Sequence, residues 1–245
     1  SSAVLEGGEV WERVGRWLEL ARVSVMPEGC RRDDNDVTSA LDLISSIEKE
    51  WKCVRNELMN SEEAARVANE RYGSVGARAV HFSREVVFTH MDCQSLNILT
   101  SEKWSSKDNE AIIRLIDFEY AGMNPRSMDI ANTFCECCDM NNMAADYEKE
   151  YPTSSRQDLY LTIYMKEVRP SLAEWLDECG GWETFLEVWR EDVMRYALVS
   201  HLAWAVWAVA QSYISTIEFD YLGYASHRME GYWIFKRILS EYNTE

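Results

Sequence analysis

Hydrophobic positions along the chain recur mostly at helical intervals, and two short stretches break the rule. Over "EVWERVGRWLELARVSVM" (9–26), Val10, Val14, Trp17, Leu18 and Ala21 fall on one helix face. The polar "PEGCRRDDND" (27–36) interrupts that pattern and supplies Asp36 or Thr38 as the cap of a second helix. There Leu41, Ile44, Ile47, Trp51, Val54 and Leu58 repeat the spacing. "SEEAARVANERYG" (61–73) predicts a short third helix, capped by Ser61 and ended by Gly73. "YGSVGAR" has no strand before it and no lysine after it, so it reads as a loop rather than a phosphate cradle. The exceptions are 86–89 and 112–116, β-branched and apolar runs that predict strands, the second of them buried. The turn-like "LTSEKWSSKDNEA" between them predicts a hairpin. After about residue 128 the pattern is helical again, most densely at 185–217, where two or three helices run close together. With four prolines and eleven glycines in 245 residues, little breaks them. The class is α+β, mostly helical, with a small β element.

A hydrophobic fraction of 47% and a charged fraction of 27% place the chain among folded globular proteins. The net charge of −17 excludes a broad nucleic-acid surface, which needs clustered Lys and Arg. An acidic surface suits a cationic small molecule, and ATP only with metal ions to neutralise its phosphates; it also simply keeps a protein soluble. Seven cysteines (30, 53, 93, 135, 137, 138 and 179), an odd number, point to a reduced intracellular protein. "CECC" (135–138) lacks the second CxxC or the His pair of a zinc site. No cationic-then-apolar leader begins the chain, and the most apolar run, 197–210, is shorter than the ~20 residues of a membrane span. A cytoplasmic protein with no membrane span is expected.

Two segments carry chemistry: "VVFTHMDCQSLNIL" (86–99) and "IIRLIDFEY" (112–120). A strand ending in His-x-Asp-x-x-x-x-Asn, then a second ending in Asp-Phe, matches the needs of phosphoryl transfer: a group to orient the attacking hydroxyl, and metal ligands. Asp92 takes the first role; Asn97 and Asp117 take the second, with the oxygen atoms that magnesium prefers. A capped loop with acids placed by chance is the plainer reading. His90 reads as structural, and Gln94 bonds either a nucleotide or the loop. Glu119 stands where protein kinases carry the glycine of DFG, which points toward small-molecule kinases. Trp204 and Trp207 share a helix face and Phe219, Tyr221 and Tyr224 follow; such rings bind a desolvated ammonium with up to about 2 kcal/mol each. The same stripe also reads as plain core.

"FTHMDCQSLNIL", "LIDFEYAGMNPRSMDIANTFCE" (115–136) and "MRYALVSHLAWAVWAVAQSYISTIEFDYLGYA" (194–225) resemble the choline/ethanolamine kinase family over roughly residues 86–240. "STIEFDYLGYA" and "FEYAG" are closer to ethanolamine kinases. The resemblance implies transfer of the ATP γ-phosphoryl to the hydroxyl of choline or ethanolamine, the first step toward phosphatidylcholine or phosphatidylethanolamine. It implies a protein-kinase-like fold shared with aminoglycoside phosphotransferases, with a catalytic loop at 88–99, a metal strand-loop at 112–120 and amine-pocket helices at 194–225. It makes Asp92 the catalytic residue, Asn97 and Asp117 the Mg2+ ligands, and Gln94 a cofactor-side contact. Trp204, Trp207, Phe219, Tyr221, Tyr224, Glu136 and Glu119 fall to the substrate pocket. Arg126 and Asp129, in an N-x-R-x-x-D segment, become structural; a homodimer is kept open as an assembly, on which the sequence itself is silent.

The chain departs from the family in three places. Met91 replaces the usual asparagine, and Asn141 falls near where choline kinases offer a further tyrosine. A thinner aromatic cage holds trimethylammonium less well than a primary ammonium bonded to acids such as Glu136, which tilts the reading toward ethanolamine. Residues 1–85 show neither the glycine-rich loop nor the lysine of the family's nucleotide-binding lobe. The whole of 1–245 is therefore expected as a C-terminal lobe, with that N-terminal lobe as its partner. Two alternatives stand beside this: an aminoglycoside- or sugar-type kinase, which the aromatic cluster disfavours, and a lobe that binds a cationic amine without turnover.

Overall fold

A computed structural model describes residues 8–25, 34–100, 113–138 and 145–242. No glycine or proline lies between Trp182 and Ile214, so one helix, α8 (Trp182–Ile214, 33 residues), replaces the two or three expected there. It packs against the first four helices and the last, and is buried on almost all sides from Phe185 to Ala210. Among the described residues it alone is long and apolar enough to cross a membrane, but 83% of its apolar window is buried inside the protein. Its composition is that of a core.

The helices around it follow from their apolar faces. In α1 (Val10–Val25), Val10, Val14, Leu18 and Ala21 are buried as the spacing predicts. The second helix, α2 (Asp34–Leu58), starts ahead of the caps predicted at Asp36 or Thr38. The cap of α3 (Ser61–Ser83) is Asn60 rather than Ser61: its side chain accepts from the Glu63 N–H at 3.2 Å. Gly73 ends the first part of α3 with a φ of 67°, open to glycine without strain. Helix resumes beyond it, where a loop was expected, because Ala79, Val80 and Phe82 form an apolar face that buries against the core. At the end of α3, Arg84 pairs with Asp192 of α8 at 2.7 Å, both side chains almost fully buried.

The strands correct the expected hairpin. β1 (Val86–Thr89) pairs antiparallel with β4 (Gly122–Pro125), and β2 (Ile98–Thr100) pairs antiparallel with β3 (Ile113–Leu115). One small sheet is thus nested in sequence inside the other. Of the turn predicted at 99–111, Leu99 and Thr100 belong to β2 and the rest lies outside the described residues. Nor is β3 buried: Ile113 is 61% exposed, and Leu115 and Ile116 are open as well. Phe88, Leu96, Leu99 and Phe118 extend the uncovered apolar surface.

After β4 come α4 (Arg126–Cys135), α5 (Tyr147–Glu150), α6 (Ser154–Val168), α7 (Pro170–Cys179) and α9 (Tyr221–Tyr242). Gly231 lets α9 lie close on α8, since a Cβ there would meet His201 Cε1 at 2.4 Å.

Candidate active site

β1 ends by delivering His90 to a turn that few residues adopt. Met91 has φ 67°, a left-handed conformation costing a methionine about 1–2 kcal/mol. Helix α4 holds it there. The Asp129 carboxylate accepts from the N–H groups of His90 (3.1 Å) and Met91 (2.8 Å), and Asn132 Nδ2 donates to the Met91 carbonyl at 3.0 Å. Asn124 and Arg126 of the same segment also bond structurally: Asn124 Nδ2 donates to Thr89 Oγ1, and Arg126 donates to the Phe82 carbonyl and Tyr164.

The turn sets Asp92 beside Asn97, whose Nδ2 donates to the Asp92 carbonyl (2.9 Å) and to Oδ2 (2.8 Å). Gln94 Nε2 lies 3.3 Å from the same oxygen. His90 Nδ1 accepts from the Asp92 N–H, so its Nε2–H donates to the Ile116 carbonyl at 2.8 Å; the ring braces the loop. Ile116 N–H donates to the Asn97 carbonyl at 3.0 Å and ties the loop to the end of β3, where Asp117 sits at φ 65°. Burial raises the Asp92 carboxyl pKa, against the hydrogen bonds from Gln94 and Asn97; Asp117 pushes it the same way as burial.

A cavity of about 370 Å³ opens on these groups. Its lining combines the polar Asp92, Gln94, Asp117, Glu119, Tyr120, Glu136 and Glu218 with Trp204, Trp207, Phe219, Tyr221, Tyr224 and Ile217. Every predicted site residue except Asn97 reaches this cavity, and Asn97 is bonded to Asp92 behind it. Asn141, read as the place where a further cage tyrosine is missing, lies outside the described residues. The rings form a continuous wall: Trp204 and Trp207 have centroids 5.3 Å apart at 78°, Trp207 and Tyr221 5.9 Å, Phe219 and Tyr221 4.9 Å. Trp207 Nε1 donates to the Tyr120 hydroxyl at 3.0 Å, and Trp204 Nε1 to Asn132 Oδ1 at 2.8 Å.

Sequence reasoning missed Tyr120, though it adjoins Glu119 in a single 3-10 turn directly after Asp117. It missed Trp17, whose ring lies 6.3 Å from Trp204 and 6.0 Å from Tyr120. It also missed Arg228, fully buried on α9 with Nη1 3.9 Å from Glu136 Oε1; only contact across α8 reveals that pair. Burial pushes the Glu136 carboxyl up to about 7, against the pull of Arg228 and with the help of Asp92.

Among the described residues no three His, Cys, Asp or Glu side chains gather as a metal cluster. The donors at hand are two carboxylates and an amide oxygen, because Asn97 commits its Nδ2 to Asp92 and leaves Oδ1 for a cation. Such a set fits magnesium, which keeps much of its shell as water or phosphate oxygen.

A family model described as choline/ethanolamine kinase matches residues 6–233. "Probable choline kinase 2" of Arabidopsis thaliana is 29% identical over 243 residues, covering 94% of this chain and 54% of its own length. A choline/ethanolamine kinase of Rattus norvegicus is 37% identical over 168 residues, covering 64% and 40%. The crystal structure of a choline kinase from Cryptosporidium parvum covers 99% of this chain and 60% of its own at a TM-score of 0.66 and 24% identity, a likeness of fold. The chain spans about half the length of the relatives it matches. On the match of the family model, the chain belongs to the choline/ethanolamine kinase family.

Proposed function

We propose that this chain carries the amine-binding and catalytic part of a kinase that transfers the γ-phosphoryl of ATP to the hydroxyl of ethanolamine or choline. The observation that carries the proposal is one cavity lined both by Asp92 and Asp117 and by the rings of Trp204, Trp207, Phe219, Tyr221 and Tyr224. The ammonium sits among Trp204, Trp207, Tyr221 and Tyr224, near Glu136 and Glu119. The hydroxyl then points to Asp92, which accepts its proton as the new O–P bond forms and the bond to the departing ADP oxygen breaks. Asn97 and Asp117 would hold magnesium, which when bound neutralises phosphate charge. Gln94 keeps the Asp92 carboxylate turned toward the cavity. Primary ammonium is the favoured head group, because five carboxylates line the cavity, among them Glu119 and Glu136, which can accept its N–H bonds. The uncovered apolar face beside Asp117 supports a nucleotide-binding lobe as the partner that completes the ATP site.

Calorimetry with ethanolamine and choline, with and without MgATP, combined with phosphorus NMR of the product, tests this. Phosphoethanolamine or phosphocholine is the expected product. The chain's short span relative to its relatives favours one second reading, amine binding without turnover; amine heat with no nucleotide effect and no product would establish it. No amine binding at all would overturn both.

A further inference from the structure

We propose that Asn132 is a positioning residue that locks the catalytic loop and the aromatic cage into one register. The proposal rests on the reading of the cavity as an amine kinase site. Asn132 is fully buried, and one amide serves both halves of the cavity. Its Nδ2 donates to the carbonyl of Met91, the left-handed residue just before Asp92, at 3.0 Å. Its Oδ1 accepts from Trp204 Nε1 and from Ser200 Oγ, both at 2.8 Å. Ser200 Oγ in turn accepts from Arg228 Nη2 at 2.9 Å, and Arg228 stands beside Glu136.

The directions of these bonds are chemically fixed. An indole N–H only donates and a carbonyl only accepts, so the amide fits one way round. A flipped Asn132 would oppose its NH2 to the indole N–H and its oxygen to the Met91 carbonyl. The relay therefore runs from Arg228 through Ser200 to Asn132 and on to Met91, and it joins Glu136, Trp204 and Asp92 without touching the cavity. Asp129, three residues earlier on α4, anchors only the N–H side of the same turn and has no contact with the tryptophan wall. Asn132 is the member that couples them.

Asn132→Asp, read at alkaline pH with its carboxyl ionised, separates the two duties: it keeps the acceptor for Trp204 and Ser200 and loses the donor to Met91. Hydrogen exchange across 90–94, ethanolamine Kd and turnover are read together. Asn132→Asp is expected to speed loop exchange by about fivefold or more and cut turnover about tenfold, with Kd within about threefold of wild type. Asn132→Ala is expected to weaken Kd by about fivefold as well. Should neither fold, Ser200→Ala removes one donor to Asn132 and is expected to speed loop exchange about twofold. A fall in melting temperature with exchange at 90–94 unchanged would overturn the proposal. So would an Asn132→Asp variant that loses amine binding as fully as Asn132→Ala. Exchange needs no substrate: a wild-type chain that binds no amine sinks the kinase reading, while the exchange data still decide the coupling.

Discussion

Glu136 is the carboxylate through which solution conditions would act on the cavity. Burial raises its pKa to about 7, Arg228 opposes that shift, and the charge of Asp92 adds to it. On the proposed reading a cationic amine would bind the carboxylate and not the carboxylic acid, so affinity would be present above that pKa and lost as pH falls through it. Ethanolamine affinity measured by calorimetry is expected to fall by roughly tenfold per pH unit below 7 and to flatten above it, with proton release on binding near neutrality. Glu136→Gln should abolish most of this dependence and weaken binding by about tenfold. Asp92 makes a different demand. Asp92→Asn keeps the hydrogen-bonding shape and removes the proposed base, so turnover should drop by ~10²-fold or more; a loss within about threefold would remove Asp92 from the proton-accepting role. These residues were legible as types at a spacing. What the sequence hid was their state: a shifted carboxyl is a property of burial in the folded chain, which no local pattern encodes.

At the scale of elements, the central helix carries the fold and the short strands carry the site. The pair between Arg84 and Asp192 joins the end of α3, from which β1 departs, to α8. Asp192 accepts three hydrogen bonds from Arg84 with N···O of 2.7 to 3.2 Å. Asp192→Ala would leave a buried guanidinium without its partner, at a cost of about 3–5 kcal/mol read by thermal or urea denaturation. Helical periodicity made α1 and α2 readable almost residue by residue, because each buries a single stripe. It failed for α8, buried nearly all round, where the stripe disappears and only the absence of Gly and Pro announces continuity. Strand pairing was not readable at all. Three- and four-residue strands have too few side chains to set a register, and theirs is set by loop bonds such as Ile116 N–H to Asn97 O.

The whole molecule joins an acidic surface to an apolar face. A net charge of −17 would draw a cationic amine toward the cavity, so the association rate should fall as salt rises from about 0.01 to 0.15 M while the rings hold much of the affinity. The apolar face of Leu96, Leu99, Ile113 and Ile116 makes the chain by itself prone to self-association. Leu96→Ser with Ile113→Ser should lower binding of a hydrophobic dye and leave ethanolamine Kd within about twofold, since neither side chain lines the cavity.

The most direct measurement is an ethanolamine titration of wild type against Trp207→Ala, read by calorimetry at pH 8. Saturable binding of one amine per chain is expected, weakened by about tenfold or more when the indole is removed. Binding that ignores the loss of Trp207, or no binding in the wild type, would contradict the assignment of this cavity to a small ammonium alcohol.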